Sequence, residues 1–420
     1  MSTTSRRRVG IALSTLLMLL TVFGPISMDL YLPALPALTQ ELHTTTSVAQ
    51  FTITACLIGL AVGQLIAGPL SDRFGRRIPL LIGIAAFVVA SALCAISPTV
   101  EMLIVARLVQ GLAGAVGIVT SQAAGRDVYE GGALIRYYGR LTVVGGLAAI
   151  VGPVLGGQLV RFTDWRGLFV ALAIIGVILL VLCLAIFGET LPADRRSQGG
   201  MRQTGRDFRR LLSDRMFLGA VLITGFVFAA IFAYLAGATY ILQGIYGLSP
   251  QAYSIAFGVN SAGVMLFGYL GGRAAERWSQ VGTLVVGLSM CTVGALGLLA
   301  TGILALPLPV VLVSLFLMVS GGAGVTAPPT TSLALADYPE LAGTASSLLG
   351  MARYAFGGIA APLVGIAGAN TVLPLGIVTT VTIALAVLAM AVLIRRGRPN
   401  LHPDPVDLAA LQASQRATAE

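Results

Sequence analysis

Apolar segments of about 20 residues recur along the chain at intervals of roughly 30 residues. A helix needs about 20 apolar residues to cross the hydrocarbon core of a bilayer. In lipid the backbone must satisfy its hydrogen bonds within the segment, so such segments are helical. The pattern predicts an all-α membrane protein with twelve transmembrane helices. We place them near residues 10–36, 47–70, 78–97, 100–124, 137–160, 166–188, 216–240, 250–272, 281–302, 307–333, 341–366 and 370–394.

The twelve predicted helices form two sets of six, separated by a polar stretch. We expect an N-terminal six-helix bundle over residues 1–188 and a C-terminal six-helix bundle over residues 216–395. A cytoplasmic connector is expected over residues 189–215 and a cytoplasmic tail over residues 396–420. The connector is rich in arginine and lacks the apolar periodicity of a folded domain.

Two short sequence matches relate the halves to each other. Gly68-Pro-Leu-Ser-Asp-Arg returns in the second half as Gly268-Tyr-Leu-Gly-Gly-Arg, and Gly145-Gly-Leu-Ala-Ala returns as Gly357-Gly-Ile-Ala-Ala. Matches at equivalent helices are typical of parallel repeats in membrane proteins. We therefore expect the two bundles to be pseudo-symmetric.

Every one of the 26 basic residues is arginine, because the chain has no lysine. This excludes a P-loop lysine and a Schiff-base lysine. Most of the arginines fall in the N-terminus, in the loops on one side, in the connector and in the tail. Loops with an excess of arginine stay in the cytoplasm, so we expect a multi-pass protein of the inner membrane with both termini cytoplasmic. The net charge of +9 follows from this bias and does not indicate nucleic-acid binding.

The four cysteines lie in apolar runs without the spacing of metal ligands or disulfides, which is typical of small buried side chains. They are Cys56, Cys94, Cys183 and Cys291. Both histidines lie in polar stretches, and no nucleophile–base pair is visible in the sequence. We therefore expect no metal, no cofactor and no enzyme activity.

An arginine-rich stretch, Gly68-Pro-Leu-Ser-Asp-Arg-Phe-Gly-Arg-Arg-Ile-Pro79, separates the second and third predicted helices. Charges can concentrate there only if the stretch lies in water, and the arginine excess places it on the cytoplasmic side. We expect a turn of about ten residues, in which glycines let the backbone turn and approach closely. Its candidate functional residues are Gly68, Asp72, Arg73, Gly75, Arg76 and Arg77.

Asp29 is the only carboxylate that we place inside a predicted span, where such a group is costly and usually functional. Burial raises the pKa of a carboxylate toward neutrality, and a nearby cation lowers the pKa again. Such a group can therefore bind and release a proton as its surroundings change. Asp29 lies seven residues from Pro36 and Arg107 lies seven residues from Val100, so a rise of about 1.5 Å per residue gives both the same depth. We expect the two to pair. A hydrated or helix-pairing charge for Asp29 and a static salt bridge for Arg107 are the alternatives.

Arg353 is predicted near the membrane midplane, without an acidic partner inside the membrane. It meets either a polar or anionic group of a ligand or the carbonyls of a helix end. Aromatic residues cluster in the seventh predicted helix, where flat apolar walls suit varied small ligands, although most of them are expected to face lipid or other helices. We select Tyr31, Tyr234 and Arg353 as candidate cavity residues.

Small residues lie along one face of the fifth predicted helix: Gly145, Ala149, Gly152, Pro153, Gly156 and Gly157. Small faces let helices pack closely, and a proline between glycines weakens local helicity. Packing alone is one interpretation. The other is a seal between the halves, in which this helix packs against its counterpart in the second half, the helix that carries Gly357.

These stretches together resemble the drug:proton antiporter branch of the major facilitator superfamily. Four of them are similar to its motifs: the loop Gly68–Arg77, the helix-4 stretch Arg107-Leu-Val-Gln-Gly, the helix-5 stretch Gly145–Gly157, and the helix-1 stretch Met28-Asp-Leu-Tyr-Leu-Pro. Two more, Gly125-Arg-Asp-Val-Tyr and Ala342-Gly-Thr-Ala-Ser-Ser, resemble the bicyclomycin/chloramphenicol-resistance (Bcr/CflA) subfamily.

The resemblance implies proton-coupled efflux of small, mostly apolar drugs or antibiotics by alternating access, with the proton gradient as the energy source and Arg107 in proton coupling. It also implies that Asp72 braces the loop against neighbouring helices, for which Arg76, Arg126 and Asp127 are the available partners. Arg353 matches none of the motifs, so the resemblance gives it no role.

Two other functions stay open at the level of the sequence. One is a proton-coupled transporter of an ordinary metabolite, which the helix-5 resemblance disfavours only for import. The other is a non-transporting membrane sensor, which would leave Asp29 and Arg107 without a role. The expected partners are a small-molecule substrate, protons and the lipid bilayer, and we expect a monomer.

Overall fold

The computed structural model describes residues 3–129, 131–192, 196, 201–336, 338, 341–365 and 371–394. Within these ranges the chain is helical and contains no strand. The helices are α1 (Thr3–Asp29), α2 (Leu35–Glu41), α3 (Thr46–Phe74), α4 (Arg77–Ala95), α5 (Val100–Val128), α6 (Gly131–Leu159), α7 (Trp165–Ile186), α8 (Met201–Ser213), α9 (Arg215–Thr239), α10 (Pro250–Arg277), α11 (Gln280–Leu304), α12 (Leu308–Val319), α13 (Ala327–Leu335), α14 (Ala342–Ala360) and α15 (Leu373–Ala389).

Eleven stretches of the described helices are long and apolar enough to cross a membrane. One further long helix, α6, has 29 residues and lies where the sequence predicts the fifth span. The predicted all-α membrane fold is confirmed. The predicted tail, residues 396–420, lies outside the described residues.

Several of the spans are interrupted or change their helical pitch. A 3₁₀ turn at Leu32–Ala34 separates α1 from α2 within one span, and α14 ends in a 3₁₀ turn at Ala361–Gly365. Wider π turns follow α9 at Tyr240–Ile245 and join α12 to α13 at Ser320–Thr326. π turns often mark functional sites. Two of these four interruptions, at Leu32–Ala34 and at Tyr240–Ile245, adjoin the candidate site.

Short polar side chains set where many of the helices begin. In each case the side-chain oxygen accepts a hydrogen bond from the backbone N–H three residues later, which satisfies one of the unpaired donors of the first turn. The capping residues are Thr45, Thr99, Asp164, Asp214 and Ser249. These caps fix the boundaries between spans that composition alone leaves uncertain.

The helices pack as two halves. In the N-terminal half α5 packs against α1, α3 and α4, and in the C-terminal half α9 packs against α14 and α15. The most extensive contacts between the halves are those of α3 with α14 and of α6 with α10. We use "far end" for the end of the bundle opposite the arginine-rich stretch, where α2 ends and α3 begins.

The predicted ten-residue turn in the arginine-rich stretch is wrong. Helix α3 continues to Phe74, and only Gly75 and Arg76 separate it from α4. Gly75 has φ 87°, a conformation that favours glycine, and ends the helix. Gly68 is helical instead and has open space around it. Polar side chains such as Ser71 are compatible with a helix that extends beyond the lipid, so the change of composition does not end the helix.

The connector also contains more structure than its composition suggests. Helix α8 places Leu211 in a small apolar cluster with Phe217 at the start of α9 and Leu348 of α14. Arg206 and Arg209, on the same helix, are exposed. The short amphipathic repeat of α8 is masked in the sequence by the arginines around it.

Candidate functional site

Asp29 is the last residue of α1 and is only 8% exposed. Its Cβ atom packs on Gly152 of α6, where an added side-chain carbon would lie 2.9 Å away. Three tyrosines of the C-terminal half lie within electrostatic range of the carboxylate: Tyr234, Tyr253 and Tyr354. In the part of the chain that the structure describes, no residue forms a hydrogen bond or an ion pair with this carboxylate. A buried, uncompensated acid therefore lies between the halves.

Arg107 of α5 is fully buried and reaches the end of α1. Its Nη1 atom donates to the Ser27 carbonyl at 3.0 Å and to Gln110 Oε1 at 2.5 Å, and its Nη2 atom lies 3.2 Å from Met28 Sδ. The expected ion pair with Asp29 is not formed in this structure. Depth along the membrane brings the two residues to the same level, but the end of α1 presents its carbonyl and sulfur atoms to the guanidinium.

Aromatic rings complete the surroundings of Arg107. Its guanidinium carbon lies 4.4 Å from the centre of the Tyr31 ring and 5.6 Å from that of Phe169. Tyr31 is itself buried, and its hydroxyl hydrogen-bonds Thr52 at 2.9 Å. Tyr31, selected from the sequence as a cavity residue, therefore lies in the core of the N-terminal half and holds Arg107 through a cation–π contact.

A relay of buried polar groups extends from Arg107 to α4. Gln110 accepts from Arg107 and donates through Nε2 to Ser91 Oγ at 2.7 Å. The relay joins α1, α5 and α4 through groups that are almost completely buried. Such a network is stable only while each member keeps its partner.

Tyr234, the other selected tyrosine, lies in α9 on the opposite side of the interface. Its hydroxyl accepts a hydrogen bond from Asn260 Nδ2 at 3.0 Å, and its ring stacks on Phe257 with centroids 5.9 Å apart. The structure thus brings Tyr234 near Asp29 and fixes it on α10, while Tyr31 faces away toward Arg107.

The arginine-rich stretch forms an ion cluster around Arg76, which is 5% exposed. Its guanidinium donates to Asp72 at 2.5 Å, to Asp127 of α5 at 3.0 Å and to Ser71 at 2.7 Å. Burial alone would lower the pKa of Arg76, but the two carboxylates outweigh it and raise the pKa. The second proposed partner, Arg126, is exposed.

Glu189, which sequence reasoning missed, joins this stretch to the end of α7. Its carboxylate accepts backbone N–H groups of Arg76 at 2.8 Å, Arg77 at 3.3 Å and Leu191 at 3.0 Å. Burial alone would raise the pKa of Glu189, but these donors and the nearby Arg196 outweigh it and hold the pKa below its ordinary value. A carboxylate directly after an apolar span, on the side of the arginine-rich loops, is the signal that could have indicated it.

The small face of α6 packs mainly on α1. Gly152 contacts Asp29, and a side chain at Gly156 would collide with the Leu30 carbonyl. Gly157 contacts Ser254 of α10, in the other half. The expected packing of this helix on its counterpart, the helix of Gly357, is wrong: α6 packs on α10 and α14 packs on α3. The pseudo-symmetry relates these two interfaces to each other, so symmetric helices do not touch.

The other residues of this face differ in their surroundings. Gly145 has open space where a side chain would lie, and Pro153 lies within the helix. The side chain of Ala149 lies outside the described residues. The glycines of this face that closely approach other segments, Gly152, Gly156 and Gly157, therefore lie in its far-end half.

Hydrogen bonds close the two halves on each other at the far end. The hydroxyls of Thr39 and Tyr240 lie 2.7 Å apart, and Gln50 Nε2 donates to the Ala236 carbonyl at 3.1 Å. Two further bonds run from Gln243 Nε2 to the Pro33 carbonyl at 3.2 Å and from Gln251 Nε2 to the Gly157 carbonyl at 3.0 Å. Glutamines in or beside apolar spans are the sequence signal that could have indicated this far-end clamp.

Arg353, the third cavity candidate, lies on α14 and not at the Asp29 cluster. Its guanidinium carbon lies 4.3 Å from the centre of the Phe228 ring. It lines a small recess between α9, α13 and α14, together with Thr224, Thr330 and Thr331.

Long apolar helices in two halves, with a buried acid between them and hydrogen bonds that close one end, define a multi-span membrane transporter. The chain belongs to the major facilitator superfamily, whose family model matches residues 17–362. It is therefore a transporter and not an enzyme.

Individual proteins agree with this assignment. The chain is 37% identical to an uncharacterised MFS-type transporter, YdgK, of Bacillus subtilis (strain 168), over 90% of this chain and 94% of that protein. It is 27% identical to a bicyclomycin resistance protein homolog of Haemophilus influenzae, over 90% and 95%. A D-xylose–proton symporter of known structure has the same fold, with a TM-score of 0.69 and 15% identity over 90% of this chain and 97% of that one.

Proposed function

We propose that the protein exports small, mostly apolar drugs or antibiotics across the inner membrane in exchange for protons. The relative named as a bicyclomycin resistance protein homolog supports a drug as the substrate. The family membership supports alternating access, in which the two halves open to one side at a time.

The observation that carries the proposal is the buried Asp29 carboxylate without a hydrogen-bond or ion-pair partner among the described residues. A charged carboxylate is costly in such a place, so the group is neutral while it is closed in and exchanges its proton with water when it is hydrated. Opening of the halves changes that hydration. Protonation of Asp29 is thereby coupled to the conformation of the transporter.

Arg107 tunes this coupling through the backbone of α1. It holds the Ser27 carbonyl and the Met28 sulfur, the two residues that precede Asp29. A movement of α1 on proton binding must therefore break or reshape the bonds of Arg107. In this state Arg107 is connected to Asp29 through the end of α1, and the two side chains form no direct salt bridge.

The arginine bias orients the cycle. With the arginine-rich stretch in the cytoplasm, the far-end clamp closes the outer side in this structure. When the clamp opens, Asp29 takes a proton from outside and the drug leaves. After the clamp closes and the halves open to the cytoplasm, Asp29 is hydrated from that side and releases the proton, and the next drug molecule binds.

The test is drug efflux from proteoliposomes with an imposed pH gradient, with the drug chosen from a growth-inhibition panel in a pump-deficient host. Asp29→Asn should abolish gradient-driven efflux and keep some drug binding, because a carboxamide cannot exchange a proton. Asp29→Glu should keep part of the activity. Glu101→Gln is the control, since Glu101 is an exposed acid at the start of α5. Equal efflux by wild type and Asp29→Asn would mean that the proton is carried elsewhere or that none is coupled.

A further inference from the structure

The recess beside Arg353 has the features of a binding site for an anionic group. It lies between α9, α13 and α14 and is bordered by Val227, Phe228 and Leu349 on its apolar side. Thr326, the last residue of the π turn before α13, also lines it. The recess is therefore an apolar slot with a cation and several hydroxyls at one place.

The arginine in this recess lacks an acceptor. Among the residues that the structure describes, no carboxylate lies within ion-pair distance of Arg353, and its buried Nε atom has no hydrogen-bond partner. The face of the Phe228 ring lies against the guanidinium. Arg76 and Arg107, by contrast, each have two or more acceptors. A partly buried guanidinium without an acceptor is costly, so an acceptor from outside the chain would complete it.

The hydroxyls around the recess divide into used and available donors. Thr330 donates to the Thr326 carbonyl at 2.6 Å, so its hydrogen is occupied. The hydroxyls of Thr224 and Thr331 form no hydrogen bond within the described part of the chain. Together with the Arg353 guanidinium they supply donors and no negative charge, which is the chemistry that binds a carboxylate.

The size of the recess restricts what can enter it. Its cavity volume is about 20 Å³, somewhat more than the roughly 10–15 Å³ that one water needs. It can admit a small head group but not a whole drug molecule. The rest of a ligand must lie outside it, along the apolar residues of α9 and α14.

We propose that Arg353, with Thr224 and Thr331, binds the carboxylate of an amphipathic organic anion, and that Phe228 and Leu349 contact its apolar body. The inference rests on the proposed efflux function and names the substrate class: apolar compounds that carry one acidic group. The planar guanidinium can bind both oxygens of a carboxylate at once, which a lysine could not do.

The test measures equilibrium binding of radiolabelled 2-naphthoate and of its neutral isostere 2-naphthamide to the purified full-length protein in detergent, at pH 7.5 and without a gradient. Wild type should bind naphthoate more tightly than naphthamide. Arg353→Gln should weaken naphthoate binding by about tenfold to a hundredfold and leave naphthamide binding unchanged. Arg353→Lys should restore part of the difference, and Thr224→Val should reduce it a few-fold.

Arg273→Gln is the matched control, because Arg273 also lies against an aromatic ring, that of Tyr269 at 4.8 Å, but on the exposed side of α10. It should leave both affinities unchanged. Equal loss for both ligands in Arg353→Gln, or no preference for naphthoate in wild type, would overturn the site. Asp29→Asn should keep the preference. Naphthoate binding by wild type without pH-driven efflux would refute the proton antiport and leave the anion site standing.

Discussion

The guanidinium carbon of Arg107 lies 4.4 Å from the centre of the Tyr31 ring. Tyr31 follows Asp29 by two residues, and Ser27, whose carbonyl also binds Arg107, precedes it by two. Arg107 thus contacts residues on both sides of Asp29 in the sequence but forms no bond with the Asp29 carboxylate. This arrangement separates Arg107, which positions the end of α1, from Asp29, the acid that we propose carries the proton.

Removing the Arg107 head group should destabilise the protein and stop transport. Arg107→Gln leaves the Ser27 carbonyl and Gln110 buried without their donor, at a cost of about 1–3 kcal/mol each. Tyr31→Phe keeps the ring and loses the hydroxyl with its bond to Thr52, so it should retain transport, whereas Tyr31→Leu should resemble Arg107→Gln. Thermal unfolding in detergent and efflux assays check this. Full efflux by Tyr31→Leu would show that the ring contact has no part in positioning α1.

The two carboxylates that bind Arg76 should contribute differently. The Asp127 side chain is 16% exposed and that of Asp72 is 49% exposed. Solvent screens the exposed pair, so Asp72→Asn should cost at most about 1 kcal/mol in stability, while Asp127→Asn should lower the melting temperature clearly. If Asp72 braces one conformation, Asp72→Asn should nevertheless cut transport while the protein stays inserted. Full efflux by Asp72→Asn would reduce this residue to a topological anchor.

Glu189 should stabilise the junction of α3 and α4 in a pH-dependent way. Its folded pKa lies below its ordinary value of 4.5, so its contribution is present above the unfolded pKa and is lost as the pH falls through the folded pKa. Glu189→Ala should remove the cap of α4, worth about 1 kcal/mol, and lower the melting temperature by about 2–4 °C at pH 7.

The Glu189→Ala shift should shrink when the pH is lowered below 4.5, the ordinary value for this group. Glu101→Ala is the matched control, because that glutamate is exposed at the other end of the molecule. A shift for Glu189→Ala that stays constant with pH would show that the carboxylate charge contributes nothing.

For Asp29 and Arg107, sequence reasoning found the individual charges but not their partners, whereas for Asp72 it named Arg76, which binds it. Asp29 and Arg107 stand out because a charge in an apolar span is costly, and that argument needs no structure. The rise per residue gives how far along its helix each residue lies. It does not give the direction of the side chain around the helix axis, and it does not predict the break after α1 at Leu32–Ala34. The ion pair was therefore expected where the structure has Ser27 and the Tyr31 ring instead.

Contacts between distant segments escaped prediction for a related reason. Glu189 caps a helix that begins more than one hundred residues earlier. Its partners are backbone N–H groups, which every residue except proline has, so the sequence does not indicate which of them it binds. The family motif around Gly75 predicts that a glycine is needed, while the carboxylate that a side chain there would strike is visible only in the folded chain.

The far-end clamp should control how readily the transporter opens at that end. Tyr240→Phe removes the hydrogen bond to Thr39, which joins the halves. One hydrogen bond contributes about 0.5–1.5 kcal/mol, so the ratio of open to closed molecules should rise about twofold to tenfold. Tyr246→Phe is the matched control, since the Tyr246 hydroxyl donates to the Leu306 carbonyl within the same half, at the same end.

Distances between spin labels at Gln40 and Ile245 measure the opening, because both positions are exposed and lie on opposite halves. In a cysteine-free background, Tyr240→Phe should increase the fraction of long distances, and Tyr246→Phe should leave the distribution as in wild type. Gln50→Leu, which removes the bond to the Ala236 carbonyl, should act in the same direction as Tyr240→Phe, and the two changes together should add. If the distribution were the same in wild type and the double variant, closure of the far end would depend on helix packing alone, with no contribution from these hydrogen bonds.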